Sequence, residues 1–223
     1  MFNRQSNAYV TWTLLVLTIG VYLVEVLAGG SQNSNTLMTM GAMTNASIQT
    51  GDWWRLITPI FLHLSVFHIF MNGFTLLYVG QILEPMIGHW RFLTIYLLSG
   101  ITGNLASFAF GSDNAISVGA STSIFGLFAA FLALGFIYRE NRFMTEIGKS
   151  FLGLIVVNLL LDLLMPSINI WGHLGGALGG LFLGYTLGLP GIQRPKMIFR
   201  ILSLVVLVVI SYFMYTKGMI VYG

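Results

Sequence analysis

Charge is scarce in this sequence and cysteine is absent. Of 223 residues only 8% are charged, ten Lys or Arg and seven Asp or Glu, while 56% are hydrophobic; mean hydropathy is +0.84. A water-facing domain carries about 25% charged residues, so a soluble globular enzyme, a disordered chain and a nucleic-acid binder are excluded. The lack of cysteine removes disulfides, a thiol nucleophile and Cys-ligated metal. What remains is an all-α polytopic membrane protein, whose backbone must satisfy its hydrogen bonds inside helices when lipid surrounds it.

A helical span needs about 20 mostly apolar residues to cross a hydrocarbon core of roughly 30 Å. Seven segments qualify: 9–28, 58–82, 91–110, 120–138, 149–166, 171–188 and 199–216. The first is expected to be a retained helix rather than a signal peptide, because its apolar stretch is long, it contains Glu25 and few basic residues precede it. Arg4, Arg91, Arg139, Arg142, Lys149, Arg194, Lys196 and Arg200 fall on one side of these spans, with only Arg55 and Lys217 on the other. The positive-inside rule then puts the N-terminus in the cytoplasm and the C-terminus outside. The basic balance of +3 is a topological bias rather than a polyanion-binding patch. The first outer connection, 29–57, carries Asp52-Trp53-Trp54-Arg55, a composition that favours the headgroup zone.

Polar groups inside spans are costly and usually face the protein interior or a wet cavity. The second span holds His63, His68 and Asn72, the last two four apart and so on one helix face. The fourth begins Gly119-Ala120-Ser121-Thr122-Ser123-Ile124-Phe125-Gly126. In the sixth, Gly172, Gly176, Gly180, Gly184 and Gly188 recur at every fourth residue, a stripe that admits a neighbouring backbone. His173 lies one position off that stripe, where close packing alone needs no imidazole. All three spans carry these residues toward the outer side. Each residue alone reads as interhelical glue or a helix cap. Together, a serine, a base and two polar donors at compatible depth form a nucleophile with an oxyanion hole.

These residues resemble the rhomboid intramembrane serine proteases. The Gly-x-Ser-x-x-x-x-Gly motif of that family corresponds to Gly119 through Gly126, His-x-x-Gly-x-x-x-Gly to His173 through Gly180, and His-x-x-x-Asn to His68 through Asn72, preceded by a family-like His63. Trp54-Arg55 and the Glu84 and Gly88 pair match further family patterns. The joint order covers nearly the whole chain. The resemblance implies a six-helix core over 9–188 after a short cytoplasmic N-terminus (1–8), with 189–223 adding a connection and a seventh, C-terminal transmembrane helix. It also implies Ser121 as nucleophile and His173 as base, with the Ser121 N–H, His68 and Asn72 as oxyanion donors. Gly119, Phe125, Gly176 and Gly180 would support the site. The arrangement is expected to be a dyad, with neither Asp162 nor Asp113 promoted to orient His173. Asp162 and Glu25 are expected to be wetted or paired, not catalytic. Two positions depart from the family pattern: Thr122 where relatives commonly have Gly, and Phe125 where many have Tyr.

The expected function is cleavage of single-span membrane proteins near their outer end, in a bacterial cell membrane, with no cofactor, metal or nucleic acid. The main alternative is a catalytically inactive relative that binds membrane proteins or assists their quality control. A transporter would predict inverted hydropathy repeats. A zinc protease would predict a His-Glu-x-x-His motif, which is missing.

Overall fold

A computed structural model describes residues 7–113, 115–165, 168–191 and 195–220. Arg4 and Arg194, two of the residues that set the expected orientation, lie outside the described residues, as do the ends of the 1–8 and 189–223 segments. The described residues form helices and loops; the one β feature among them is an isolated bridge between Met43 and Ser117. The helices are α1 (Tyr9–Leu27), α2 (Ser34–Thr39), α3 (Asn45–Gln49), α4 (Val66–Ile87), α5 (His89–Phe110), α6 (Ser121–Ile137), α7 (Arg142–Leu164), α8 (Ile170–Leu187) and α9 (Met197–Ile220), with 3₁₀ turns at Trp53–Leu56 and Thr58–Phe61. Five of them, α1, α4, α5, α7 and α9, are long and apolar enough to cross a membrane. Helix α6 is shorter but apolar, and α8 is diluted by its glycines and His173.

Two helix starts differ from the sequence expectation. The second span was expected from residue 58, but α4 begins at Val66. Residues 58–61 instead make a 3₁₀ turn with Pro59 in its first positions. Ser65 then adopts an extended conformation and caps α4, its hydroxyl accepting from the His68 N–H at 3.1 Å. Helix α7 starts at Arg142 rather than 149, because the Asn141 side chain accepts from the Met144 N–H at 3.2 Å and fixes an earlier cap. Between α4 and α5 the turn needs positive φ, which Gly88 supplies at 88°.

Small residues set how the bundle packs. Helix α8 has two glycine faces. Added Cβ atoms at Gly176 and Gly180 would overlap the α6 backbone at Thr122 and Gly126, and one at Gly184 would press on Ala130 and Ala133. At Gly175 and Gly179 they would strike α5 around Thr102, Ala106 and Ser99. The stripe therefore seats α8 against α6, with a second glycine face against α5. Gly188 ends the helix, at a φ of 55°. Around α5, α6 and α8 the other long helices are more peripheral. Helix α9 packs on α5 and α8, and its far end reaches the first connection, where the Gln49 amide donates to the Gly218 carbonyl at 2.9 Å.

That first connection is built rather than loose. The Arg55 guanidinium donates to Asp52 Oδ2 and to the carbonyls of Met38 and Ala42, each at 2.8 Å, while Trp53 and Trp54 are exposed. Arg55 thus staples the connection internally, and the tryptophans are the part free to meet headgroups.

Glu84, seen in the sequence only as part of a pattern, is buried and closes the start of α1. Its carboxylate accepts from the N–H groups of Val10 at 2.9 Å and Thr11 at 2.7 Å and from the Thr11 hydroxyl at 2.6 Å, and pairs with His89. The first N–H groups of a helix lack intrahelical acceptors, and hydrogen bonds to a charged group contribute about 1.5–3 kcal/mol. Glu84→Ala is expected to lower the unfolding temperature of the purified protein in detergent, with Glu84→Gln falling between it and wild type. Equal unfolding temperatures for wild type and Glu84→Ala would contradict this role.

Candidate active site

Ser121 is the first residue of α6, after a segment tied down on both sides. Met43 and Ser117 exchange backbone hydrogen bonds at 3.1 and 2.9 Å, and the Gly119 N–H donates to the Pro59 carbonyl at 2.8 Å. Gly119 has a φ of 128°, and a Cβ there would lie 2.9 Å from His68 Nε2 and 3.7 Å from Ser121 Oγ. The missing side chain is what lets the His68 ring close on the start of α6 beside the serine hydroxyl. Asn72 follows one turn later on α4, buried, with its amide donating to the His68 carbonyl at 3.0 Å. The His68 ring stands edge-on to His63 at 4.9 Å, and the buried His63 donates its backbone N–H to Glu25 at 3.1 and 3.3 Å. Glu25 is thus paired and fully buried, bracing the chain just before α4.

His173 lies in the first turn of α8 and is 9% exposed. Phe125, one helical turn beyond Ser121, stacks face to face on its imidazole, centroids 4.1 Å apart and planes at 8°. Gly176, three residues after His173, lies against the Thr122 backbone. Two contacts therefore place the imidazole beside the first turn of α6, where Ser121 sits. Thr122 does not reach toward the serine's side of that turn: its buried side chain packs against Gly103 of α5 and Gly172 of α8.

Asp162, expected to be wetted or paired, is paired, and its partner is His173. Asp162 Oδ2, near the end of α7, is 2.6 Å from His173 Nδ1, and both side chains are largely buried. Asp113 is elsewhere, accepting from the Asn45 amide at 3.4 Å. The motifs could not reveal the Asp162 pairing, since it joins two helices across 11 positions. The available signal was its cost, because a carboxylate in an apolar helix requires a partner. Among the described residues no three His, Cys, Asp or Glu side chains converge as a metal site.

The fold and this cluster define a membrane-embedded helical bundle that brings a serine, two histidines and an asparagine from three helices to one region. The chain belongs to the rhomboid family: residues 50–190 match the family's Rhomboid domain. It is 38% identical to Rhomboid protease GluP of Bacillus subtilis (strain 168) over 213 residues, 96% of this chain and 40% of GluP. Putative rhomboid protease YdcA of the same organism is 36% identical over 63% of this chain and 70% of its own length. Rhomboid-like protease 1 of Toxoplasma gondii is 38% identical over 68% of this chain and 53% of its own length. The chain thus spans less than half of GluP, and it is a multi-pass membrane protein homologous to rhomboid proteases.

Proposed function

We propose that this chain is an intramembrane serine endopeptidase that hydrolyses a peptide bond in or near the transmembrane segment of single-span membrane proteins. In this reading the seven long helices are all spans, residues 9–188 forming the six-span protease core and α9 the added seventh. The N-terminus is cytoplasmic, the C-terminus outside, and the site near the outer face of a bacterial cell membrane. The observation that carries the proposal is the stack of His173 on Phe125, one helical turn beyond Ser121, which supports reading His173 as the base for Ser121.

Ser121 Oγ attacks the scissile carbonyl carbon while His173 Nε2 takes its proton. The oxyanion of the tetrahedral intermediate accepts from the Ser121 N–H, which a helix start leaves without an intrahelical acceptor, and from His68 and Asn72. Collapse breaks the C–N bond, and His173 returns the proton to the leaving amine. Water, deprotonated by His173, then attacks the acyl ester and releases Ser121. No cofactor enters this sequence. The substrate helix must unwind locally, because its carbonyls are otherwise occupied by helical hydrogen bonds.

A fluorophosphonate probe tests the site directly. The purified wild-type protein is expected to form a covalent adduct that peptide mass spectrometry maps to Ser121, with none in Ser121→Ala. An adduct elsewhere, or undiminished labelling of Ser121→Ala, would exclude Ser121 as the nucleophile. An unlabelled wild-type protein would favour a non-catalytic binding role.

A further inference from the structure

Three acidic residues are buried in or beside the long helices, and they are partnered differently. Glu25 and Glu84 accept from backbone N–H groups, at His63 and at Val10 and Thr11, and so close a turn and a helix start. Glu84 also meets the half-exposed His89 ring, whereas the one partner of the Asp162 carboxylate among the described contacts is a ring nitrogen of the buried His173, at 2.6 Å. An ionised carboxylate can only accept, and His173 Nδ1 facing such a carboxylate carries the ring's proton. Nε2 is then left with a free lone pair, the state a base needs to take a serine proton. Phe125 fixes the plane of the same ring from its face. Together the two contacts fix the tilt and rotation of the ring, and they come from different helices, α7 and α6.

We propose that Asp162 is a positioning residue of the reaction, converting the expected Ser121–His173 dyad into a Ser121–His173–Asp162 relay. This rests on the protease reading above. The carboxylate remains ionised throughout and stabilises the imidazolium that forms when Ser121 loses its proton; no proton passes to it. A purely architectural bond tying α7 to α8 would make a different prediction. The near-isosteric Asp162→Asn would then be milder than Asp162→Ala, because Asn preserves shape and a hydrogen bond. Under the proposal the order reverses. An Asn amide turned to donate to Nδ1 locks the proton onto Nε2, the wrong tautomer, whereas Ala leaves the ring free to sample both.

The test combines two measurements on the full chain in detergent. In the first, the ¹⁵N-histidine spectrum of Ser121→Ala is compared with that of the Ser121→Ala, Asp162→Asn double variant, the His173 signals being assigned by their loss in His173→Ala. Protonated Nδ1 and bare Nε2 are expected with Asp162, and the reverse with Asn. The second measures the rate of fluorophosphonate labelling and turnover of a fluorogenic single-span peptide, with Ser121 intact. In soluble triads the corresponding Asn change lowers kcat about 10⁴-fold. A fall of about 10²-fold or more is expected here for Asn, a smaller one for Ala and recovery above Ala for Glu, with KM little changed. An Nε2–H tautomer with Asp162 present, kcat for Asn within threefold of wild type, or Asn milder than Ala would each overturn the proposal. If Ser121→Ala still cleaves the peptide, the protease reading falls instead, and the tautomer measurement still decides what Asp162 does to His173.

Discussion

Turnover of a single-span substrate is expected to collapse by about 10⁶-fold in Ser121→Ala and in His173→Ala, with the double variant no worse than either single one. Groups that act as one unit lose nearly everything when the first is removed, and in soluble serine proteases either partner alone costs about 2 × 10⁶ in kcat. In the proposed mechanism Ser121 and His173 are such a unit. The imidazole is clamped by Phe125 of α6, and the glycine face of α8 lies against the α6 backbone at Thr122, so neither partner has an independent position. Residual cleavage over the uncatalysed rate would come from the oxyanion donors and substrate binding, typically 10³–10⁴-fold in such enzymes. His68→Ala and Asn72→Ala in the Ser121→Ala background therefore should remove that remainder. Losses that multiply, the double variant being far slower than either single one, would mean that Ser121 and His173 act in separate steps. Full activity in Ser121→Ala would end the assignment altogether. Circular dichroism and thermal unfolding of each variant separate lost chemistry from lost fold: Ser121→Ala should change the unfolding temperature little, whereas His173→Ala, which leaves the buried Asp162 without its partner, should lower it.

The sequence exposed those parts of the molecule governed by local rules or by motif. Hydropathy located every long helix, because an apolar run long enough to span is legible without knowledge of its neighbours. It misplaced the start of α4 by eight positions, counting from 58 to Val66, because Ile60, Phe61 and Leu62 are apolar whether they form a span or a 3₁₀ turn. The decisive residues there were Pro59 and Ser65. Ser121, His173, His68 and Asn72 were named because motif spacing ties each to a helix position. Asp162 was noticed as awkward but its partner was not identified. The pairing depends on how the end of α7 crosses the start of α8, a tertiary fact that no local spacing encodes. Glu84 shows the same limit: its acceptors' partners, Val10 and Thr11, are 74 and 73 positions away. Charge in this chain thus does more than orient the bundle. Its buried carboxylates close a helix start, brace the approach to α4 and meet the candidate base.

The glycine face of α8 predicts a sharp contrast between two single changes. Gly180→Val is expected to abolish recovery of folded protein, while Gly153→Ala should leave it unchanged or slightly more stable. A Cβ at Gly180 would fall inside the Gly126 backbone, with the carbonyl oxygen, carbonyl carbon and Cα all within overlap distance. Backbone cannot turn aside as a flexible side chain can, so α6 and α8 would have to separate along their contact. Overpacking a tight core costs about 1–3 kcal/mol and sometimes more, and here it strikes the central helix pair rather than a rim. Separation would also lift Gly176 from Thr122 and His173 from Phe125, so any folded remnant of Gly180→Val should label poorly with a fluorophosphonate. Gly153 on α7, by contrast, has nothing within 4 Å of its would-be Cβ. In a helix interior Ala is favoured over Gly by about 0.8–1 kcal/mol, and with no steric penalty that preference should survive as a small rise in unfolding temperature. Recovery and thermal stability in detergent measure both. Wild-type behaviour in Gly180→Val would mean that α6 and α8 do not meet backbone to backbone, and the placement of His173 beside Ser121 would lose its packing basis.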